Sequence, residues 1–305
     1  MHEGDEARRA VAESGRRTTS RRDLSRSEGF EQVSPEVGEL DEHAFDELLD
    51  ADPDAALTLL ADLTGATDER LRELARRLAG RVMIDVARTG VARASGVGRL
   101  VAVRGGEGDM DLDRSLDAVL GARAGRPVPR LDDLTTTRWS RPAVSLCLLV
   151  DRSGSMAGER LAAAAVAAAA VRLRHGVDCA VVAFSEEAVV LASHGEAREP
   201  EAIVGDLLRL RGHGTTDVGL ALRTAATQLA RSSAGRRLTL LLSDCRSTTG
   251  APPQPDARAL DELVILAPED DLADATALAD SCGGRSLPVG GPSTVAETLV
   301  LALSR

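Results

Sequence analysis

Three short stretches of this 305-residue chain carry oxygen donors at intervals that could hold a cation. Asp151-Arg152-Ser153-Gly154-Ser155-Met156 offers one carboxylate and two hydroxyls on a tight turn, with Gly154 leaving the backbone room to wrap an ion. Gly212-His213-Gly214-Thr215-Thr216-Asp217 delivers a hydroxyl on a flexible loop, and Ser243-Asp244 adds a second carboxylate. The set is carboxylates and hydroxyls with no soft ligand, which suits a hard cation. A second acidic run, Asp109, Asp111 and Asp113, lacks the Gly and Glu of a calcium loop, having Arg114 and Leu120 there, and reads as the charged start of a helix. A nucleophilic role for Ser153 or Ser155 needs a base within reach and a third group to orient it. The chain has no Gly-x-Ser-x-Gly elbow, His175 follows a helix and His194 falls in a polar turn. Without a Gly-rich Walker loop, ATP hydrolysis by the chain itself is not expected.

These donors need a scaffold, and the hydrophobic rhythm supplies one. Val144 to Val150 is apolar apart from Ser145, as in a strand covered on both faces. An alanine-rich helix (159–175) follows, then strands at 179–184 and 188–191, helices at 200–210 and 217–231, and a strand at 238–242. After a proline-rich loop come a strand (263–267), a helix (269–281), a short strand (286–289) and a last helix (292–303). Strands alternating with helices predict an open, mainly parallel α/β sheet. Ligands of such sheets bind beyond the carboxyl ends of strands, which is where Asp151 and Asp244 fall.

With these motifs in order, the chain from about Ala143 to Arg305 resembles the von Willebrand factor A (VWA) family and its metal-ion-dependent adhesion site. The family's Asp-x-Ser-Gly-Ser matches Asp151, Ser153 and Ser155; its threonine maps to Thr216, with Thr215 as the neighbouring alternative; its late aspartate maps to Asp244. Cys245 stands where the family commonly has Gly. The resemblance implies that Ser153, Ser155 and Thr216 bind Mg²⁺ (or Mn²⁺) directly or nearly so, that Asp151 and Asp244 hold its waters, and that a Glu or Asp of a partner protein completes the shell. His213 reads as a solvated loop residue or a contact to metal or partner, and Arg152 and Arg246 flank the site. The layout is also similar to CoxE-like and magnesium-chelatase-D-like proteins. That resemblance implies partnership with a MoxR-type AAA+ ATPase in complex maturation or metal-cofactor insertion, with a stand-alone binding module or a metal-dependent hydrolase as the alternatives.

Upstream, residues 1–39 are rich in Arg, Glu, Ser and Gly without sustained periodicity and read as a disordered tail. Residues 40–90 form a helical module: Phe45, Leu48, Leu57, Leu60, Leu71, Leu74, Leu78 and Val82 recur at helical steps, punctuated at Asp52-Pro53 and Thr64-Gly65. Residues 91–142 read as a connector with a strand near Leu100 and a helix at 112–120, ahead of the VWA domain at 143–305. The formal charge of −11 argues against a nucleic-acid binder, and so does the near absence of stacking residues: Phe30, Phe45, Phe184 and Trp139 are the only Phe, Tyr or Trp. Cys147, Cys179, Cys245 and Cys282 are dispersed and form no CxxC pair, so they read as buried thiols of a reducing compartment. No apolar run approaches the ~20 residues of a membrane span, and no signal peptide is read at Met1 to Ser20. A cytoplasmic protein with no membrane partner is expected.

Overall fold

Helices fill the first part of the chain in the computed structural model: α1 (Asp5–Ser14), α2 (Arg21–Leu24), α3 (Phe30–Val33), α4 (Glu42–Ala51), α5 (Pro53–Leu63) and α6 (Glu69–Arg93). All residues are described except 94–98, 105–108, 126, 128–129, 141–143, 153–157, 175–176, 211, 213 and 305. Aspartates set the helix starts. Asp41 accepts from the His43 and Ala44 N–H groups, Asp52 from Ala55 just before Pro53, and Asp68 from Leu71. The breaks therefore fall at both points that the sequence punctuates.

Residues 1–39 differ from the tail expected of them. Three short helices bury Ala7, Val11, Leu24, Phe30 and Val33 in the main core. Arg21 stacks over the Phe30 ring at 4.9 Å and donates to the Ser34 carbonyl at 2.6 Å. Each helix contributes only one or two large apolar groups to a surface built by other elements, so no periodic run announces it.

Contacts divide the chain into two compact units, Met1–Ser95 with Val144–Arg305, and Gly96–Ala143. The smaller unit holds β1 (Arg99–Arg104), β2 (Asp109–Met110), α7 (Leu112–Arg123) and β3 (Thr135–Ser140), with antiparallel order β1-β3-β2. The acidic run does start a helix there: the Asp111 carboxylate accepts the Arg114 N–H at 3.1 Å. β3 lies in a stretch that reads only as proline- and arginine-rich connector, because Thr135-Thr136-Thr137 carries no apolar alternation.

The larger unit continues with β4 (Val144–Asp151), α8 (Glu159–Arg172), β5 (Val177–Phe184), β6 (Ala188–Ala192), α9 (Pro200–Arg209), α10 (Val218–Leu229), β7 (Arg236–Leu242), α11 (Gln254–Arg258), β8 (Leu263–Pro268), α12 (Ala273–Cys282), β9 (Arg285–Val289) and α13 (Val295–Leu303). Its sheet runs β6-β5-β4-β7-β8-β9, parallel throughout except for the antiparallel edge strand β6. Successive β4 residues serve opposite faces: Leu146, Leu148 and Val150 join one core, Cys147 and Leu149 the other. On the first face lies α8, buried along its length from Leu161 to Val171 because α5, α6, α9 and α13 pack over it. Alanine lets those helices approach closely, and a helix apolar all round needs this second layer. The amino-terminal helices thus share the core of the sheet. On the opposite face α10 packs against β4 and β5, and α12 against β8 and β9.

Candidate functional site

β4 and β7 are adjacent and parallel, with Val150 level with Leu242, so both strands deliver their last residues to one edge of the sheet. There the Ser243 hydroxyl donates to Asp151 Oδ2 at 2.7 Å and accepts the Cys245 N–H at 2.9 Å. Asp151 is 2% exposed and Asp244 7%. Asp244 accepts from Arg160 Nη1 on Oδ2 (3.0 Å) and from the Arg246 N–H on Oδ1 (3.0 Å).

Thr216 reaches the same edge through backbone ties. The Asp217 N–H donates to the Ser185 carbonyl just past β5. The Thr216 N–H donates to Thr248 Oγ1 at 2.8 Å, and the Thr216 carbonyl accepts from the N–H groups of Thr248 and Thr249 in the loop after β7. Thr216 is 3% exposed, and its hydroxyl has no hydrogen-bond partner among the described residues. Thr215 is exposed and turns its hydroxyl to Glu186 at 3.3 Å. Ser153, Ser155 and His213 lie outside the described residues, as does His175.

Two residues of the site had weak sequence signals. Ser243 orients Asp151, although a serine before an aspartate reads first as one more donor. Arg160 neutralises Asp244 from the first turn of α8, across 84 positions of sequence. Its place shortly after the Asp151–Ser155 stretch was the available clue. Arg246, which flanks the site in sequence, points its guanidinium to Asp271 (2.8 Å) and Asp274 (3.7 Å) instead. Arg152 is buried, its Nε has no partner among the described residues, and desolvation lowers its pKa against the opposing pull of Glu187 and Glu186.

Cys245 has φ 63°, the left-handed backbone that favours glycine. This is the position where the sequence departs from the family pattern, and the turn keeps a glycine-like conformation despite the side chain. Burial, with the charges of Asp244 and Asp151, pushes the Cys245 thiol far up, so it stays protonated. The protonated thiol is not a nucleophile. The Ser-His-Asp grouping elsewhere in the chain does not supply one either: Ser145 Oγ is 3.4 Å from both ring nitrogens of His194, whose Nδ1 is 3.3 Å from Asp178, and Ser145 is fully buried. An Oγ equidistant from both nitrogens is not aimed at either one as a base.

The donor set therefore fits a hard divalent ion through its chemistry: two buried carboxylates and the hydroxyl of a buried threonine at one edge of the sheet. Among the described residues no group of three or more His, Cys, Asp or Glu gathers as a metal cluster.

Residues 146–246, which span every one of these positions, match the model of the von Willebrand factor type A domain. Over that third of the chain the sequence is similar to that domain. The fold agrees, with its six-stranded, mostly parallel sheet between helices. Solved structures similar to the chain include a von Willebrand factor type A protein from Catenulispora acidiphila (22% identity, 55% of this chain and 43% of that one, TM-score 0.44). BatB from Bacteroides thetaiotaomicron is similar at 14% identity (52% and 97%, TM-score 0.42). So is proximal thread matrix protein 1 from the mussel byssus with a zinc-occupied MIDAS motif (18% identity, 53% and 47%, TM-score 0.40). The chain spans less than half of the Catenulispora protein. No curated protein matches it. Among the described residues no helix is long and apolar enough to cross a membrane.

Proposed function

We propose that the type A domain is an Mg²⁺-dependent grip on another protein, and that the chain serves as a non-enzymatic adaptor for a MoxR-type AAA+ ATPase in the cytoplasm, acting in complex maturation or metal-cofactor insertion. The observation that carries the metal reading is the meeting of Asp151, Thr216 and Asp244 at one edge of the sheet. Asp151, Ser153, Ser155, Thr216 and Asp244 would hold the ion, and bound Mg²⁺ supplies an electrophilic centre for an incoming carboxylate.

The chain's own residues prepare that contact. Ser243 fixes the Asp151 carboxylate, the Arg246 N–H fixes that of Asp244, and burial of both limits competing water. Arg160 offsets Asp244, so the site alone has less surplus negative charge with which to retain a dication. Metal and an acidic partner side chain then bind with positive linkage, each raising the affinity for the other. The AAA+ assignment rests on the similarity of the layout to CoxE-like and magnesium-chelatase-D-like proteins.

The test is capture by tagged protein from host lysate in Mg²⁺, elution with EDTA, and identification by mass spectrometry, with Asp151→Ala as control. An AAA+ ATPase released by EDTA from the native protein and absent from the control is the expected result. A partner retained equally by Asp151→Ala, or unmoved by EDTA, would overturn the metal reading, and an EDTA-released partner of another class would overturn the AAA+ assignment.

A further inference from the structure

Next to Asp244, the carboxyl ends of β7, β8 and β9 and the first turn of α8 enclose a solvent-open cavity of about 470 Å³. Its floor is apolar: Ala163, Leu242, Leu266 and Val289, each under 9% exposed. Its rim is acidic. Glu159, Glu269 and Asp270 are exposed and form no ion pair among the described residues. The lining cation, Arg160, is already committed to Asp244 at 3.0 Å and lies 4.0 Å from Asp271.

We infer that this cavity receives an arginine side chain of the protein partner. An apolar floor beneath unpaired carboxylates matches a side chain that lays a methylene stem on hydrocarbon and keeps its charge at the surface. Arginine suits it better than lysine, because guanidinium is less strongly hydrated and can bridge two carboxylates with its planar fork. A partner carboxylate is repelled from this rim, so the surface reads two features of one partner: an acid at the candidate metal site and a base beside it. The choice of a protein as occupant rests on the adhesive reading above; the preference for a cation with an apolar stem rests on the cavity alone.

The experiment uses the full chain with ¹³C-labelled Leu and Val methyl groups, titrated with the blocked tripeptide Ac-Gly-Arg-Gly-NH₂, its citrulline analogue, and spermidine, each in Mg²⁺ and in EDTA. The arginine peptide should shift the Leu242, Leu266 and Val289 methyls, and the citrulline peptide should not. Glu269→Gln with Asp270→Asn, both exposed positions that should leave folding intact, should weaken the arginine peptide about tenfold. Equal binding of the citrulline peptide, or an unchanged affinity in the double variant, would overturn the proposal. Binding of spermidine without the peptide would overturn the protein occupant in favour of a free polyamine. Arginine binding that persists in EDTA and in Asp151→Ala supports the cavity even if the metal reading fails. Mg²⁺-dependent shifts of the Leu242 methyls without any peptide response would leave the metal reading and remove this one.

Discussion

The ion pair between Arg160 and Asp244 gives a prediction whose sign opposes the usual reading of an ion pair as stabilising the site. Arg160 sits 3.0 Å from the carboxylate that would face Mg²⁺ and competes with a cation for its oxygens. Arg160→Gln should therefore tighten Mg²⁺ by about tenfold in calorimetric titration, whereas Asp151→Ala and Asp244→Ala should abolish the heat of binding without changing the far-ultraviolet circular dichroism. Cys245 gives a second case. Its φ of 63° carries a penalty of about 1–2 kcal/mol that glycine avoids, and this offsets the loss of a small buried thiol. Cys245→Gly should leave the denaturant midpoint nearly unchanged. Cys245→Val, with a branched side chain at positive φ, should lower stability by about 2 kcal/mol or more.

At the scale of elements, the amino-terminal helices are the clearest departure from the sequence pattern. Phe30 is 1% exposed although α3 has only four residues. Phe30→Ala should cost about 3–5 kcal/mol in chemical denaturation, the range for deleting a buried aromatic side chain; a cost below 1 kcal/mol would return this stretch to a tail. The loop after β7 depends on close approach to α10. Gly250 has φ 85°, and a Cβ there would lie 2.5 Å from the Asp217 carboxyl group, whose oxygen accepts the Leu220 N–H at the start of α10. Gly250→Ala should both strain the loop and displace this cap, lowering stability by about 2 kcal/mol. Since the same loop donates two N–H groups to the Thr216 carbonyl, Mg²⁺ affinity should fall with it.

For the molecule as a whole, two groups make stability acid-sensitive in successive windows. Burial holds the His194 imidazole below its ordinary 6.5, against the partial compensation of Asp178. The unfolded chain then takes up the proton more readily, so stability is complete above about pH 6.5 and declines as pH falls through that value. Glu3, bonded to Arg231 and Ser193 beside the edge strand β6, is held at about 2 against 4.5. Its contribution is present above pH 4.5 and is lost toward pH 2. Melting temperature recorded from pH 8 to 3 should fall in both windows, and His194→Gln should flatten the upper one.

What the sequence determined by itself was local and periodic. The strand and helix rhythm from Val144 onward, the aspartate-marked starts of α4 and α5, and the donors that follow strands are all written in runs of neighbouring residues, because strand alternation and capping act over a few positions. Tertiary structure decided the rest. It buried Thr216 and left Thr215 exposed, brought Arg160 across to Asp244, and kept a left-handed turn at Cys245. It also packed α1 against α9 and β6, α2 against α5 and α3 against α4, and drew α5 and α6 over α8. Each of these depends on surfaces supplied by distant segments, and hydrophobic burial and ion pairing act on distance in space, which a linear pattern does not record.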